Sequence, residues 1–227
     1  MKKFFSILAL STFVMASTTL SAEAGTSLKK GETLIEFGSS LNSTVSTKVG
    51  DVGGKSGFKS AITYAIEDGI AIQYRKNMFT SKQGTFGPMS THANADLADY
   101  NILYRLNKHN SLILGYETNK ITYDDYISKA NRSSWHIGLN TVHPLNEQTA
   151  IFTNLIFGKK VSSKEIGVNF DLNDRSLLAI SYIDRRVNDM EVSPRDSVPS
   201  FGQDLINAIG NTDYKMTGIA IMYGYKF

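Results

Sequence analysis

The sequence contains no cysteine. That excludes a disulfide scaffold, a thiolate metal site and a lipid-modified N-terminal cysteine. Proline is scarce, with 4 in 227 residues. Nothing resembles the repeated runs of about 20 apolar residues that helical membrane proteins need. Neither charge sign dominates: 24 basic residues face 21 acidic ones, and a net charge of +3 implies no nucleic-acid partner. A composition that is 41% hydrophobic and 11% aromatic nevertheless has enough apolar surface to bury, which excludes a disordered chain.

The start of the chain reads as an address. Met1-Lys2-Lys3 is positive, Phe4 to Met15 is a short apolar stretch, and Ala22-Glu23-Ala24 closes with a small-x-small site. Together they predict a secretory signal peptide, residues 1–24, cleaved after Ala24. Residues 25–31 are then a short N-terminal tail, and residues 32–227 form the folded body. So short a tail leaves no room for an N-terminal plug, and an actively gated transporter is not expected.

The body is built on period 2. Ten segments alternate in polarity: Glu32–Leu41, Phe58–Ile66, Ile70–Phe79, Asp96–Leu106, Ser111–Ile121, Ser133–His143, Gln148–Gly158, Ser163–Asp171, Ser176–Arg186 and Tyr214–Phe227. Each has about the length of a tilted strand crossing a bilayer. All four prolines are expected outside them, because proline cannot donate to a strand ladder. Four connections are tight turns at 67–69, 107–110, 144–147 and 172–175. Most of the others are long: 42–57, 80–95, 122–132 and 187–213. Only Lys159–Ser162 is short on that side. Short turns at one end and long loops at the other predict an all-β, transmembrane, antiparallel up-and-down barrel of ten strands, with eight as the alternative.

Alternation assigns faces. Thr217, Ile219, Ile221, Tyr223, Tyr225 and Phe227 point outward, and the small residues between them point inward. Tyr100, Ile102 and Tyr104 share the outward face of their strand, as do Ile166, Val168 and Phe170. The segment Ala150–Ile156 does not alternate cleanly, so its facing is undecided. A soluble sandwich would show the same period. Against it, Tyr64, Tyr74, Tyr104, Tyr116, Trp135, Tyr182 and Tyr225 fall near strand ends, which suits aromatic girdles at membrane interfaces.

The chain ends Tyr223-Gly224-Tyr225-Lys226-Phe227. A terminal phenylalanine with aromatics at alternate positions before it resembles the C-terminal signal of small bacterial outer-membrane β-barrel and porin-like proteins. The resemblance covers essentially the whole body. It implies an outer-membrane location in a Gram-negative-type envelope, contact with outer-membrane lipid, and assembly by the barrel assembly machinery reading Tyr223, Tyr225 and Phe227. It implies no ligand.

The inward set predicted by alternation is Glu36, Lys59, Arg75, Asp99, Arg105, Glu117, His136, Glu165, Asp171, Arg185 and Lys226. A polar path that selects solutes is one reading. A barrel filled by a salt-bridged network, with no open path, is the other. An enzymatic role is not expected. Barrel proteases of the omptin type use an Asp pair and an Asp–His pair at the outer rim. Here Asp124-Asp125 reads better as a solvated acidic loop, and no Asp-x-His occurs. His109 precedes Ser111 with a deacylase-like spacing but falls in a tight turn at the wrong end. The histidines lack metal-ligand spacing, and no cofactor is implied. Lys159, Lys160 and Lys164 cluster at the short outer hairpin, either as a solubilised tip or as partners for glycolipid phosphates. Ser200–Gly210 reads as a short amphipathic helix, a lid or a rim element. The expected function is that of a porin-like or structural outer-membrane protein. Adhesion through the long loops is the alternative. The sequence leaves the oligomeric state unknown.

Overall fold

The computed structural model describes residues 28–47, 50–55, 57–82, 84–86, 89–123, 128–194 and 211–227. Its strands are β1 (Thr33–Thr47), β2 (Gly50–Gly53), β3 (Gly57–Glu67), β4 (Ile70–Thr80), β5 (Gly84–Phe86), β6 (Met89–Thr91), β7 (Ala93–Arg105), β8 (Asn110–Tyr123), β9 (Ser128–Pro144), β10 (Thr149–Gly158), β11 (Val161–Asn173), β12 (Ser176–Pro194) and β13 (Thr212–Lys226). Ten of them pair antiparallel in the order β1-β3-β4-β7-β8-β9-β10-β11-β12-β13, and β13 returns to β1. Closure runs from Leu34 opposite Lys226 to Thr47 opposite Tyr214. Among the described residues these ten strands leave no free edge, and each of them finds two partners. The ten-strand count holds and the eight-strand alternative falls.

The short turns work through their side chains. Asn107 Oδ1 accepts from the amides of His109 (2.8 Å) and Asn110 (2.9 Å). Asn146 Oδ1 accepts from Gln148 N (2.9 Å), and Asn173 Oδ1 accepts from the amides of Arg175 and Ser176 (2.9 Å each). An asparagine that mimics a backbone turn holds each reversal. The fourth turn uses Gly69, whose φ of 91° suits a residue without Cβ.

At the other end the strands run further than the alternation indicates. β8 continues to Tyr123, β9 begins at Ser128 and β12 continues to Pro194. Parts of the expected loops 42–57, 80–95, 122–132 and 187–213 are therefore strand, and β2 and the β5–β6 hairpin lie wholly inside them. Two of the four prolines stand at strand ends, against the expectation: Pro144 ends β9 and Pro194 ends β12, while Pro88 and Pro199 lie outside the described residues. At a strand's last residue a missing amide is tolerated. Above the membrane the outward face meets water, so no lipid-facing apolar period marks the strand there.

The β10–β11 hairpin stops low, at Lys159–Lys160. Above it β9 and β12 become neighbours and pair with each other, from Glu191 opposite Asn131 to Pro194 opposite Ser128. A bulge between Val187 and Met190 bends β12 toward β9. Asp189 in that bulge has a φ of 58°, a left-handed conformation that Asp tolerates. Its carboxylate accepts from Lys160 Nζ (2.5 Å) and Asn211 Nδ2 (2.8 Å), and Arg132 stands 3.7 Å away. One side chain thus ties β9, β12, the β10–β11 turn and the residue just ahead of β13 at the rim. The Lys160 hydrogen bond, then the one from Asn211, holds the Asp189 carboxyl below its ordinary value of 3.8. A depressed folded pKa gives a contribution that is full above that value and lost as pH falls through the folded one. The protection factors of the Asn188 and Asp189 amides are therefore expected to fall on acidification below about pH 4. An Asp189→Asn variant is expected to show no such step.

The outer wall is a band of apolar side chains bounded by aromatics. Tyr74, Tyr100, Tyr116 and Trp135 face one another in register across β4, β7, β8 and β9. The rings of Tyr74 and Tyr100 are 5.2 Å apart, and those of Tyr116 and Trp135 are 5.1 Å apart. Trp135 is 76% exposed, fit for an interface and costly in water alone. Beyond this edge the outward residues turn polar: Lys76, Asp96, Lys120, Ser133, Asp184 and Arg186. The opposite edge carries Tyr64, Tyr104, Phe170 and Phe227.

β10 is resolved as well. Ala150, Phe152, Asn154 and Ile156 point inward. The strand fails to alternate because the lumen itself is apolar at two levels, which puts apolar residues on both faces. Phe152 lies across Gly167 on β11, its register partner. A Cβ at Gly167 would stand 2.6 Å from the Phe152 ring. Gly167→Val is expected to destabilise the barrel by about 1–3 kcal/mol through overpacking, measured by urea unfolding in lipid vesicles.

Candidate functional site

The barrel interior is stacked in three storeys. The storey nearest the long loops is apolar: Phe79, Leu97, Ile121, Ile156, Val187, Met190, Tyr214 and Met216 form one buried cluster. Ile121, Val187 and Met190 have no exposed surface at all. The storey nearest the short turns is mixed: an apolar cluster of Phe152, Val142 and Met222 packs on one side, with Ser111, Asn140, Asn169 and Ser176 buried among the apolar groups. On the other sides Ala71, Leu103 and Ile113 pack together, and Leu28 tucks in against Leu34 and Ala65. The segment ahead of β1 therefore contributes a small stopper, a role the length of the tail does not reveal.

Between these layers lies a belt of charge. It has two centres. In the first, Arg185 Nη2 donates to Asp99 Oδ1 (2.8 Å), Glu117 Oε2 (2.7 Å) and Asn119 Oδ1 (3.1 Å), while its Nη1 reaches Asp99 Oδ2 (3.1 Å). The grip on Asp99 is bidentate, the geometry that guanidinium and carboxylate share. In the second, Glu165 accepts from Lys59 Nζ (2.5 Å), Arg75 Nη2 (2.6 Å), Ser181 Oγ (2.8 Å) and Asn154 Nδ2 (3.3 Å). A cation thus organises one centre and an anion the other. Neutral polar groups extend both. His136 Nε2 lies 2.9 Å from Asn101 Oδ1, and Asn101 Nδ2 donates to Gln73 (3.1 Å).

The strand pattern dictates this placement. Asp99, Glu117, Glu165 and Arg185 stand on β7, β8, β11 and β12 at inward positions of similar depth. Arg185 and Glu117 come from strands that are not neighbours, so their contact crosses the lumen itself. Such a crossing needs the small cross-section of ten strands and long side chains. Ionised groups here are affordable only because each meets an opposite charge and further hydrogen bonds.

All seven inward residues expected to form a polar network point into the lumen. Asp99, Glu117 and Arg185 meet in one centre, and Arg75 and Glu165 in the other. Glu36 does not join either by a hydrogen bond. It is half-buried on β1, within electrostatic reach of Arg75 and Lys59. Arg105 lies apart, at the short-turn end of β7. Sequence reasoning missed Asn119, Asn154 and Ser181, neutral groups that complete the belt and carry no charge signal to find them by. A void of about 20 Å³ remains beside Ser40, Asn77, Asp99 and Arg185, room for little more than one water.

Elsewhere, Asp124-Asp125 and the Ser200–Gly210 segment lie outside the described residues, as do residues 1–24. His109 sits in its turn, its Nδ1 3.1 Å from the Val142 carbonyl and its ring 5.7 Å from His143. Among the described residues no group of three His, Cys, Asp or Glu is placed to hold a metal ion.

No protein-family model matches the sequence, and no curated protein does. Solved structures do match. The outer membrane protease OmpT from Escherichia coli aligns with a TM-score of 0.51 at 10% identity, over 87% of this chain and 94% of that one. The outer membrane protein OprG from Pseudomonas aeruginosa aligns with 0.44 at 15% identity, over 88% and 97%. Ail, the attachment invasion locus protein of Yersinia pestis, aligns with 0.42 at 14% identity, over 87% and 99%. The closed ten-strand sheet, the apolar band and the likeness to OmpT define the class: this is a transmembrane β-barrel of the outer-membrane type. The outer membrane protease OmpT shares this fold, so the fold is compatible with an enzymatic as well as a non-enzymatic barrel.

Proposed function

We propose that the protein is a closed outer-membrane barrel that serves a structural role in the membrane and does not conduct solutes. The observation that carries this reading is the ionic belt packed between two storeys of buried side chains, which leave a void of only about 20 Å³ beside it among the described residues. A porin needs a continuous aqueous lumen. Here the belt's charges are spent on each other, and Arg185 and Glu117 have side chains only 5% and 0% exposed. Liposomes containing the folded barrel are expected to swell in small sugars no faster than empty ones. Swelling at porin-like rates would overturn the reading.

Export and assembly belong to the same proposal. The first 24 residues direct secretion and are cut after Ala24, which the mass of the membrane-extracted protein tests. Tyr223, Tyr225 and Phe227 act as the assembly signal. Phe227 is 67% exposed at the short-turn end, where a recognising partner could reach it. Deleting Phe227 is expected to reduce the amount of heat-modifiable barrel recovered from outer membranes.

One observation favours a second reading, contact with other surfaces. β9 and β12 have 17 and 19 residues, well beyond the 9–11 or so that a membrane strand needs. The surplus forms the paired extension above the β10–β11 hairpin. If that extension is an adhesive element, trimming both strands to the Asp189 level abolishes attachment while the barrel still folds. No catalytic role is proposed.

A further inference from the structure

We propose that the outer wall of β11, β12 and β13 carries a binding site for the phosphate groups of an outer-leaflet glycolipid, formed by Lys164, Arg186 and Lys215. The proposal rests on the outer-membrane reading above, which gives this wall its lipid neighbours.

The site lies directly above the apolar band. On β12 the outward series is Ile180, Tyr182, Asp184 and Arg186, so the change from apolar to charged takes one step past an aromatic. That is the level of lipid headgroups. The register brings the cations together. Lys164 is opposite Asp184, and Arg186 is opposite Lys215. Like charges directly opposite each other on a sheet are destabilising unless an anion lies between them. The acid present is Asp184, and it is shared thinly. Lys215 Nζ is 3.6 Å and Arg186 Nε is 3.8 Å from its carboxylate, both too long for hydrogen bonds. Arg186 and Lys215 keep 58% and 41% of their side chains exposed, and Lys164 is exposed as well.

Three cations against one carboxylate leave an excess of two positive charges, on groups whose donors point outward. A phosphate monoester carries a charge near −2 and accepts hydrogen bonds on several oxygens, which fits that excess. The opposite wall differs. There Lys76 is closed onto Asp96 at 3.2 Å, and Asp96 is also the register partner of Lys120. The sequence grouping of Lys159, Lys160 and Lys164 does not survive, because Lys160 is drawn to Asp189 at the rim. Its place is taken by two cations from neighbouring strands, which only the pairing reveals.

The test uses the full chain, folded in phosphatidylcholine nanodiscs doped with bisphosphorylated lipid A. Native mass spectrometry counts the lipid A retained. The combined variant Lys164→Gln, Arg186→Gln, Lys215→Gln is expected to lower retention on the order of 100-fold, from roughly fivefold per cation near a charged surface. Lys76→Gln with Lys120→Gln is expected to leave it unchanged. Asp184→Asn is expected to raise it. Dephosphorylated lipid A is expected not to be retained, and excess inorganic phosphate is expected not to displace the intact lipid. Equal retention by the triple variant, or of the dephosphorylated lipid, overturns the proposal. Complete displacement by inorganic phosphate overturns it in favour of a soluble-phosphate site. A heat-modifiable gel shift verifies folding in each sample. Failure of the outer-membrane reading would show separately, as wild-type protein missing from the outer-membrane fraction.

Discussion

Replacing Arg185 by alanine is expected to destabilise the barrel by about 3–5 kcal/mol. The guanidinium holds Asp99 by two hydrogen bonds and Glu117 and Asn119 by one each. Without it, two carboxylates remain in the middle storey with no guanidinium or ammonium group bonded to them, and with only the His136 ring 3.8 Å from Glu117. The cost comes from the partners left behind, because removing half of a buried ion pair leaves an uncompensated charge. A second variant separates that cause from lost packing. Arg185→Met combined with Asp99→Asn and Glu117→Gln removes the charges together and is expected to recover most of the loss. Urea titration in phospholipid vesicles, followed by the fluorescence of Trp135, measures both, since the chain has 1 tryptophan. A loss under about 1 kcal/mol for Arg185→Ala would mean that water reaches the belt, contrary to a sealed lumen.

Glu165→Ala is expected to cost a similar amount, about 3–5 kcal/mol, for the opposite reason. It strips the shared acceptor from Lys59 and Arg75, whose side chains are 3% and 12% exposed. Two cations are then left near one another, with Glu36 as the remaining acid on that side. Glu165→Gln keeps the oxygen that accepts hydrogen bonds and loses only the charge, so its penalty is expected to be smaller. The two centres border the same void, so the Arg185→Ala and Glu165→Ala effects are expected to couple rather than add. A double-mutant cycle in the same vesicles measures that coupling.

The barrel was legible in the sequence for a physical reason. A strand with lipid on one face and a crowded lumen on the other must alternate, and Tyr100–Tyr104 or Ile166–Phe170 could hardly face any other way. The alternation disappears where the two environments become alike. Above the membrane the outward faces of β9 and β12 meet water, as at Ser133, Arg186 and Asn188, so no lipid-facing apolar alternation marked their outer ends. Along β10 both faces are apolar, since Phe152 and Ile156 belong to the lumen storeys. Inward charges could be named one by one, but their partners could not. Arg185 and Asp99 are separated by 86 positions, and their meeting follows from the number of strands and their stagger, not from any local spacing. The same holds for Arg186 and Lys215, which only the register of β12 against β13 makes neighbours. Asp189 and the stopper role of Leu28 had no sequence signature at all.

The central claim is that the lumen is closed by design, and single-channel recording in a planar bilayer tests it most directly. The folded wild-type barrel, with insertion verified by protease protection, is expected to give no steady conductance steps. Steady, ion-selective steps from the wild-type protein would contradict the account and make the belt a selectivity filter instead of a lock.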